Sequence, residues 1–238
     1  MEQQAKLGMN RTGMQMSPQD SRRLLQTTSD LGPISPTALA TVRESYIAEA
    51  DPLGSIPIPG SAKGVVVTGA KLLTGKHPEH FMDKMAERLA FERGGTRIYD
   101  ALSSKFNAAA AKPDGISLGA LLEIRNEEAE HFQMLGECIR SLGGDPTAQT
   151  PSADLVGVET SGLVQAVSDP RTTFTDSLHA VLVAELVDVD GWELLAAMAE
   201  AAGEDEMATR FRSALDQENE HLARVRGWYQ KLTLQAAS

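Results

Sequence analysis

The sequence predicts an all-α protein: a four-helix bundle with a long crossover between helices two and three, preceded by an N-terminal arm. Three observations carry that prediction. Hydrophobic residues make up 42% of the 238-residue chain and aromatics only 5%, with Ala and Leu abundant, which favours helices over sheets. From His77 onward, apolar residues recur at helical spacing in four long segments. Short turns join the first segment to the second and the third to the fourth, whereas residues 145–173 separate the second from the third.

Residues 1–76 read as an arm packed on the bundle, partly helical and partly irregular, with disorder at its very start. Pro18, Pro33, Pro36, Pro52, Pro57 and Pro59 punctuate it. One helix is expected from Ser17-Pro18 to just before Gly32. Another is expected from Ser35-Pro36 through Leu39, Val42, Tyr46 and Ile47 to the Asp51-Pro52 break. The apolar stretch Gly64–Gly75 is ambiguous between a short helix and a strand. Its first residues approach a phosphate-binding loop. Ala70 stands where the lysine belongs, however, and no Lys-Ser/Thr pair follows, so that reading is rejected.

The bundle is expected over residues 77–234. Pro78 suits a first helical turn, and helix one carries Phe81, Met85, Leu89, Glu92, Tyr99 and Leu102 to about Phe106. Lys112-Pro113-Asp114-Gly115 is a turn, and Ser117 caps helix two, which carries Leu121, Ile124, Glu128, His131, Leu135 and Cys138 before stopping at Gly143-Gly144. The crossover has room for a short helix around Leu163–Val167. Helix three begins near Thr173–Asp176, carries Leu178, Leu182, Glu185, Val189, Trp192 and Ala196, and ends by Gly203. Helix four starts near Glu204–Glu206 and carries Phe211, Leu215, Glu218, His221, Val225 and Trp228.

Chemistry concentrates on these stripes. Glu128/His131 and Glu218/His221 are two Glu-x-x-His pairs ninety residues apart, each preceded by a single Glu at the same helical phase, Glu92 and Glu185. A Glu and a His three residues apart sit about 60° apart around a helix and roughly 4.5 Å along it, so both reach a common ion. Four carboxylates offset two divalent ions, and two neutral imidazoles add coordination without charge. Oxygen and nitrogen donors without a thiolate favour iron or manganese over a structural zinc site. A carboxylate buried in an apolar stripe without a partner would cost several kcal/mol or take up a proton, so something positive is expected beside it. Metal is the economical answer; Arg88 and Arg125 are the rivals.

With nineteen Glu and five His, roughly 0.4 Glu-x-x-His matches arise by chance, so one pair alone would carry nothing. Two phased pairs with phased single acids are harder to dismiss. The two hairpins read as a diverged internal repeat, with Tyr99 and Trp192 each seven residues after a single Glu and expected in core packing. Asp188, three residues after Glu185, is a candidate extra ligand or acceptor for a histidine N–H, and whether it is a ligand stays open. Glu127, Glu130 and Glu220 fall off the stripe and are expected in solvent. His77, His80 and His179 read as caps or surface residues, and Asp176/His179 lacks matching partners.

Over residues 77–234 the order Glu92, Glu128-Ala-Glu-His131, Glu185, Glu218-Asn-Glu-His221 resembles the ferritin-like di-iron carboxylate superfamily. The resemblance implies an up-down-down-up bundle. It implies two Fe ions, with Mn as the alternative, held by Glu92, Glu128, His131, Glu185, Glu218 and His221, and O2- or H2O2-linked redox chemistry of ferroxidase, peroxidase or oxidase type. Iron storage or sequestration without turnover of an organic substrate is the alternative it leaves open. The sequence has no rubredoxin-like Cys-x-x-Cys module, and the long arm departs from standard ferritins. Homo-oligomerisation stays open. A net charge of -11 argues against nucleic acid or an anionic membrane as partner. No apolar stretch approaches about 18 residues and Cys138 stands alone, which suits a reducing cytoplasm.

Overall fold

The computed structural model describes residues 18–30, 38–57 and 78–237, in which seven helices and no strand occur. These residues fall into two compact units. One holds α1 (Pro18–Asp30) and α2 (Ala38–Glu49), whose Leu24, Leu25, Tyr46 and Ile47 are exposed. The other holds α3 (Pro78–Ala108), α4 (Leu118–Ser141), α5 (Pro151–Ser168), α6 (Phe174–Ala202) and α7 (Asp205–Ala237). The Gly64–Gly75 stretch with its loop-like start, His77 and residues 1–17 lie outside the described residues.

The helix ends follow local chemistry. Lys112 caps α3, its Nζ donating to the carbonyls of Phe106 (2.8 Å) and Asn107 (3.0 Å). Ser117 Oγ accepts from the Ala120 amide to start α4. A reciprocal Thr173/Asp176 capping box starts α6, and Gly203, at φ +76°, ends it in the left-handed conformation that glycine adopts without a Cβ penalty.

The crossover is an eighteen-residue helix, not the short Leu163–Val167 segment expected. At 1.5 Å per residue, α5 spans about 27 Å. Three ties lay it parallel to α3 along almost its whole length. Ser152 donates from its amide and hydroxyl to Asp83 (3.0 and 2.7 Å) near the start of α3. Midway, Thr160 packs on Gly94, where an added Cβ would lie 3.2 Å from Thr160 Cβ. Near the end, Lys105 Nζ donates to the Asp169 and Thr172 carbonyls, both at 2.6 Å. Since α5 returns the chain to the end of α3, α6 descends beside α3 and α7 rises again. The result is an up-down-down-up bundle.

Two apolar clusters fill the bundle. Phe81, Met85, Leu135, Ile139, Trp192, Leu195 and Phe211 form one. Ile98, Tyr99, Leu102, Leu121, Ile124, Leu178, Val181 and Val225 belong to the other. On every long helix the acidic residues fall between the two: Glu92 between Leu89 and Ile98, Glu128 and His131 between Ile124 and Leu135, Glu185 between Val181 and Trp192, and Glu218 and His221 between Ala214 and Val225. Apolar plugs therefore close a polar slab on both sides.

Candidate metal centre

All six residues singled out by phase are buried and meet in that slab. One potential ligand atom from each of Glu128, Glu185, Glu218 and His221 lies within 4.8 Å of the others, and the same holds for Glu92, His131 and Glu218. Glu218 belongs to both lobes. A third such group comprises Glu92, Glu128, Asp188 and Glu218.

The histidines define the lobes. His131 Nδ1 lies 2.7 Å from Glu218 Oε1 and 3.6 Å from Glu92 Oε2. His221 Nδ1 lies 3.0 Å from Glu218 Oε2, 3.7 Å from Glu128 Oε1 and 4.0 Å from Glu185 Oε2. The ring centroids are 6.4 Å apart. Each ring turns its Nε2 outward to the opposite hairpin: His131 to Gln217 Oε1 at 3.0 Å, His221 to Glu127 Oε2 at 2.7 Å. Gln217 and Glu127 each immediately precede the Glu of a Glu-x-x-His pair, so the straps are reciprocal, as a pseudo-twofold relation between the hairpins requires. With Nε2 held outward, Nδ1 of each ring faces the cluster.

Glu127 is thus a correction. Its helical phase suggested a solvated side chain, yet it is only 27% exposed and bonds His221. The phase of a single helix could not show a donor arriving from another helix. The ninety-residue offset between positions 127 and 217 was the available signal. Glu130, Glu220 and His179 are exposed, with His179 stacked on Tyr229 at 5.6 Å. His80 is exposed as well. Asp188 bonds no histidine: its Oδ1 lies 2.7 Å from Arg88 Nη1, and Arg88 Nε lies 3.7 Å from Glu92 Oε1. Arg125 pairs with exposed Asp100 instead. Tyr99 packs as expected but also donates its hydroxyl to Glu185, and Trp192 lies edge-on to His131 at 5.3 Å.

Close approach of backbone and acid needs glycine at position 95. A Cβ there would sit 2.1 Å from Glu128 Oε2. The mid-helix Gly94-Gly95 pair is therefore explained by contact, Gly94 with the crossover and Gly95 with the centre.

Without a metal ion, the slab must balance its charge with protons. Burial opposes the imidazolium form of His131, but Glu218 and Glu92 overcome it and raise the group to about 11. His221 is raised to about 9 by Glu218 and Glu185 against the same opposition. Burial would raise Glu218, yet the two histidines beside it pull it down to about 2. Glu185 rises to about 8 through burial and Glu218, partly offset by His221 and Tyr99. Burial and the neighbouring Glu218 and Glu92 carboxylates push Glu128 well up.

Several buried atoms still lack a hydrogen-bond partner: both Glu92 oxygens, Glu128 Oε2, Glu185 Oε2, Glu218 Oε1 and His131 Nδ1. His131 Nδ1 and Glu218 Oε1 are in ion-pair contact without hydrogen-bond geometry. Oxygens and an imidazole nitrogen left without hydrogen bonds in one buried slab are a donor set that fits hard or borderline metal ions.

No helix among the described residues is long and apolar enough to cross a membrane. No curated protein and no solved structure matches the chain. Residues 119–234, which contain Glu128, His131, Glu185, Glu218 and His221, match the family model of the ferritin-like domain, and this stretch is consistent with the ferritin-like superfamily.

Proposed function

We propose that this protein binds two metal ions, iron with manganese as the alternative, and supports redox chemistry with O2 or H2O2. The observation that carries the reading is the set of orphaned, buried donor atoms around Glu218, contributed by four helices. Carboxylates in that number are too costly to bury charged unless cations or protons compensate them, and a metal pair would do so without protonating the donor atoms.

In this reading Glu92, Glu128, His131, Glu185, Glu218 and His221 are the ligands. Glu218, common to both lobes, would help to hold both ions. When bound, the metal pair supplies the electrons that reduce the oxidant. The chain's own residues hold and insulate it. Glu127 and Gln217 fix the imidazoles with Nδ1 inward, and Tyr99 orients Glu185. The clusters around Phe211 and Ile98 keep water from either end. A reducing cytoplasm, which suits the lone buried Cys138, would keep iron divalent for loading.

Anaerobic Fe(II) titration followed by exposure to O2 tests the proposal. About two irons per chain should bind, with oxidation on mixing, and Glu128→Ala should lose both the stoichiometry and the oxidation. Wild-type behaviour in Glu128→Ala would exclude this site.

A further inference from the structure

The ligand set accounts for four acids, but the slab contains a fifth. Asp188 is 2% exposed and shares a ligand-distance group with Glu92, Glu128 and Glu218. It sits on α6 one turn beyond Glu185, where it could turn toward the same ions. Instead it faces a guanidinium. Arg88 Nη1 donates to Asp188 Oδ1 at 2.7 Å and to the Asp188 carbonyl at 3.1 Å, and Arg88 Nε stands 3.7 Å from Glu92 Oε1. The guanidinium lies over the Phe91 ring, 4.1 Å from its centroid. Its room comes from Gly191, where a Cβ would fall 2.1 Å from Nη1. Arg88 itself is 4% exposed. A buried arginine fitted this closely to one acid, on the edge of an acidic cluster, is a fixed positive charge that solvent does not screen.

Formal charge gives that cation a role. Ionised, Glu92, Glu128, Glu185, Asp188 and Glu218 carry five negative charges. Arg88 cancels one and leaves four, which two divalent ions balance. Without Arg88 the same pocket would favour an additional or more highly charged cation. We propose that Arg88 is a resident cation of the centre, holding Asp188 away from the metals and setting the site's charge so that it selects two divalent ions. This rests on the two-metal reading above and adds a specificity determinant to it. Arg88 is a positioning residue, acting through Asp188 and through the field it places on Glu92. The competing account is a plain structural latch between α3 and α6, which would leave ion preference untouched.

Equilibrium titrations of the full-length protein with Co(II) and, separately, with Tb(III) distinguish the two. Wild type should bind two Co(II). Arg88→Met should raise the Tb(III)-to-Co(II) affinity ratio by about tenfold or more, because one uncompensated buried charge acts more strongly on a trivalent ion. Asp188→Asn should lower the ratio, Arg88→Met/Asp188→Asn should restore it to within about threefold of wild type, and Arg88→Lys, which keeps the charge, should stay near wild type. An unchanged ratio in Arg88→Met with two Co(II) still bound overturns the assignment of Arg88 alone. If Arg88→Met does not fold, an unchanged ratio in Asp188→Asn overturns it equally. Wild type that takes up no Co(II) overturns the two-metal reading, and this inference with it.

Discussion

Replacing Gly95 by alanine sets two effects of known sign against each other. Within a helix interior, Ala is favoured over Gly by about 0.8–1 kcal/mol. The new methyl would nevertheless lie 2.1 Å from Glu128 Oε2 and 2.9 Å from its Cδ. Ordinary carbon–oxygen contact needs more than about 3.2 Å, so the carboxylate must retreat by roughly 1 Å or α3 and α4 must part. Glu128 is 1% exposed and has no solvent to retreat into. Overpacking of this kind costs about 1–3 kcal/mol, leaving the metal-free variant between neutral and about 2 kcal/mol less stable. The site should suffer more, since binding geometry tolerates only about 0.5 Å. A tenfold weaker metal affinity removes about 1.4 kcal/mol of ligand stabilisation, or roughly 3–6 °C of melting temperature in a chain this size. Calorimetric melts with and without Co(II) read both effects. Gly94→Ala is the control: its methyl meets Thr160 of the crossover at 3.2 Å and not the centre, so whatever its effect on the metal-free melting temperature it should leave the cobalt-induced rise intact. A Gly95→Ala protein with the full wild-type rise would refute the packing of Glu128 against α3.

Other outcomes follow from the same geometry. Glu127→Gln should weaken metal binding about 10- to 100-fold by removing the charged acceptor of His221 Nε2, whereas Gln217→Glu should destabilise the metal-free fold by facing one carboxylate with another across 3.5 Å. Isothermal titration and urea melts check the pair, and equal effects of the two would contradict the reciprocal straps. Chelator-treated protein should be most stable at mildly acidic pH. Glu185, at about 8, and His131 and His221, at about 11 and 9, hold protons that the unfolded chain gives up nearer 4.5 and 6.5, so stability falls as pH climbs toward 9. Glu218, held near 2, adds a loss only below about pH 4.5. Saturating Co(II) should flatten the alkaline fall, and a chelated protein equally stable at pH 6 and 9 would show that the slab does not carry those protons. Asp83→Ala, which frees the Ser152 amide and hydroxyl, should cost about 1–2 kcal/mol in denaturant melts without changing cobalt stoichiometry.

Helix identity was legible wherever an apolar stripe ran long and its ends carried caps. Ser117, the Thr173/Asp176 box and Gly203 mark their boundaries by side-chain chemistry that acts within one turn. The crossover helix was not legible, because Gly157, Thr160, Ser161 and Gly162 dilute its propensity and tertiary contact with α3 holds it instead. Only Thr150-Pro151, a cap followed by a first-turn proline, announced it. The six inward donors could be read from phase. Their surroundings could not: Glu127 and Asp188 take partners on facing helices, which no single-helix periodicity encodes.

That division has a physical cause. A donor on a core stripe is fixed by its own helix, so spacing alone places it. A charge-setting residue such as Arg88 is fixed by what it meets across the bundle, a carboxylate one hundred residues later and the missing side chain of Gly191. Residues of the second kind decide which cation the slab prefers, since all five acids would attract any of them. The inward placement of the donor side chains therefore follows from sequence, while selectivity would follow from packing, and a variant that swaps Arg88 or Gly191 should change which ion binds before it changes whether one binds at all.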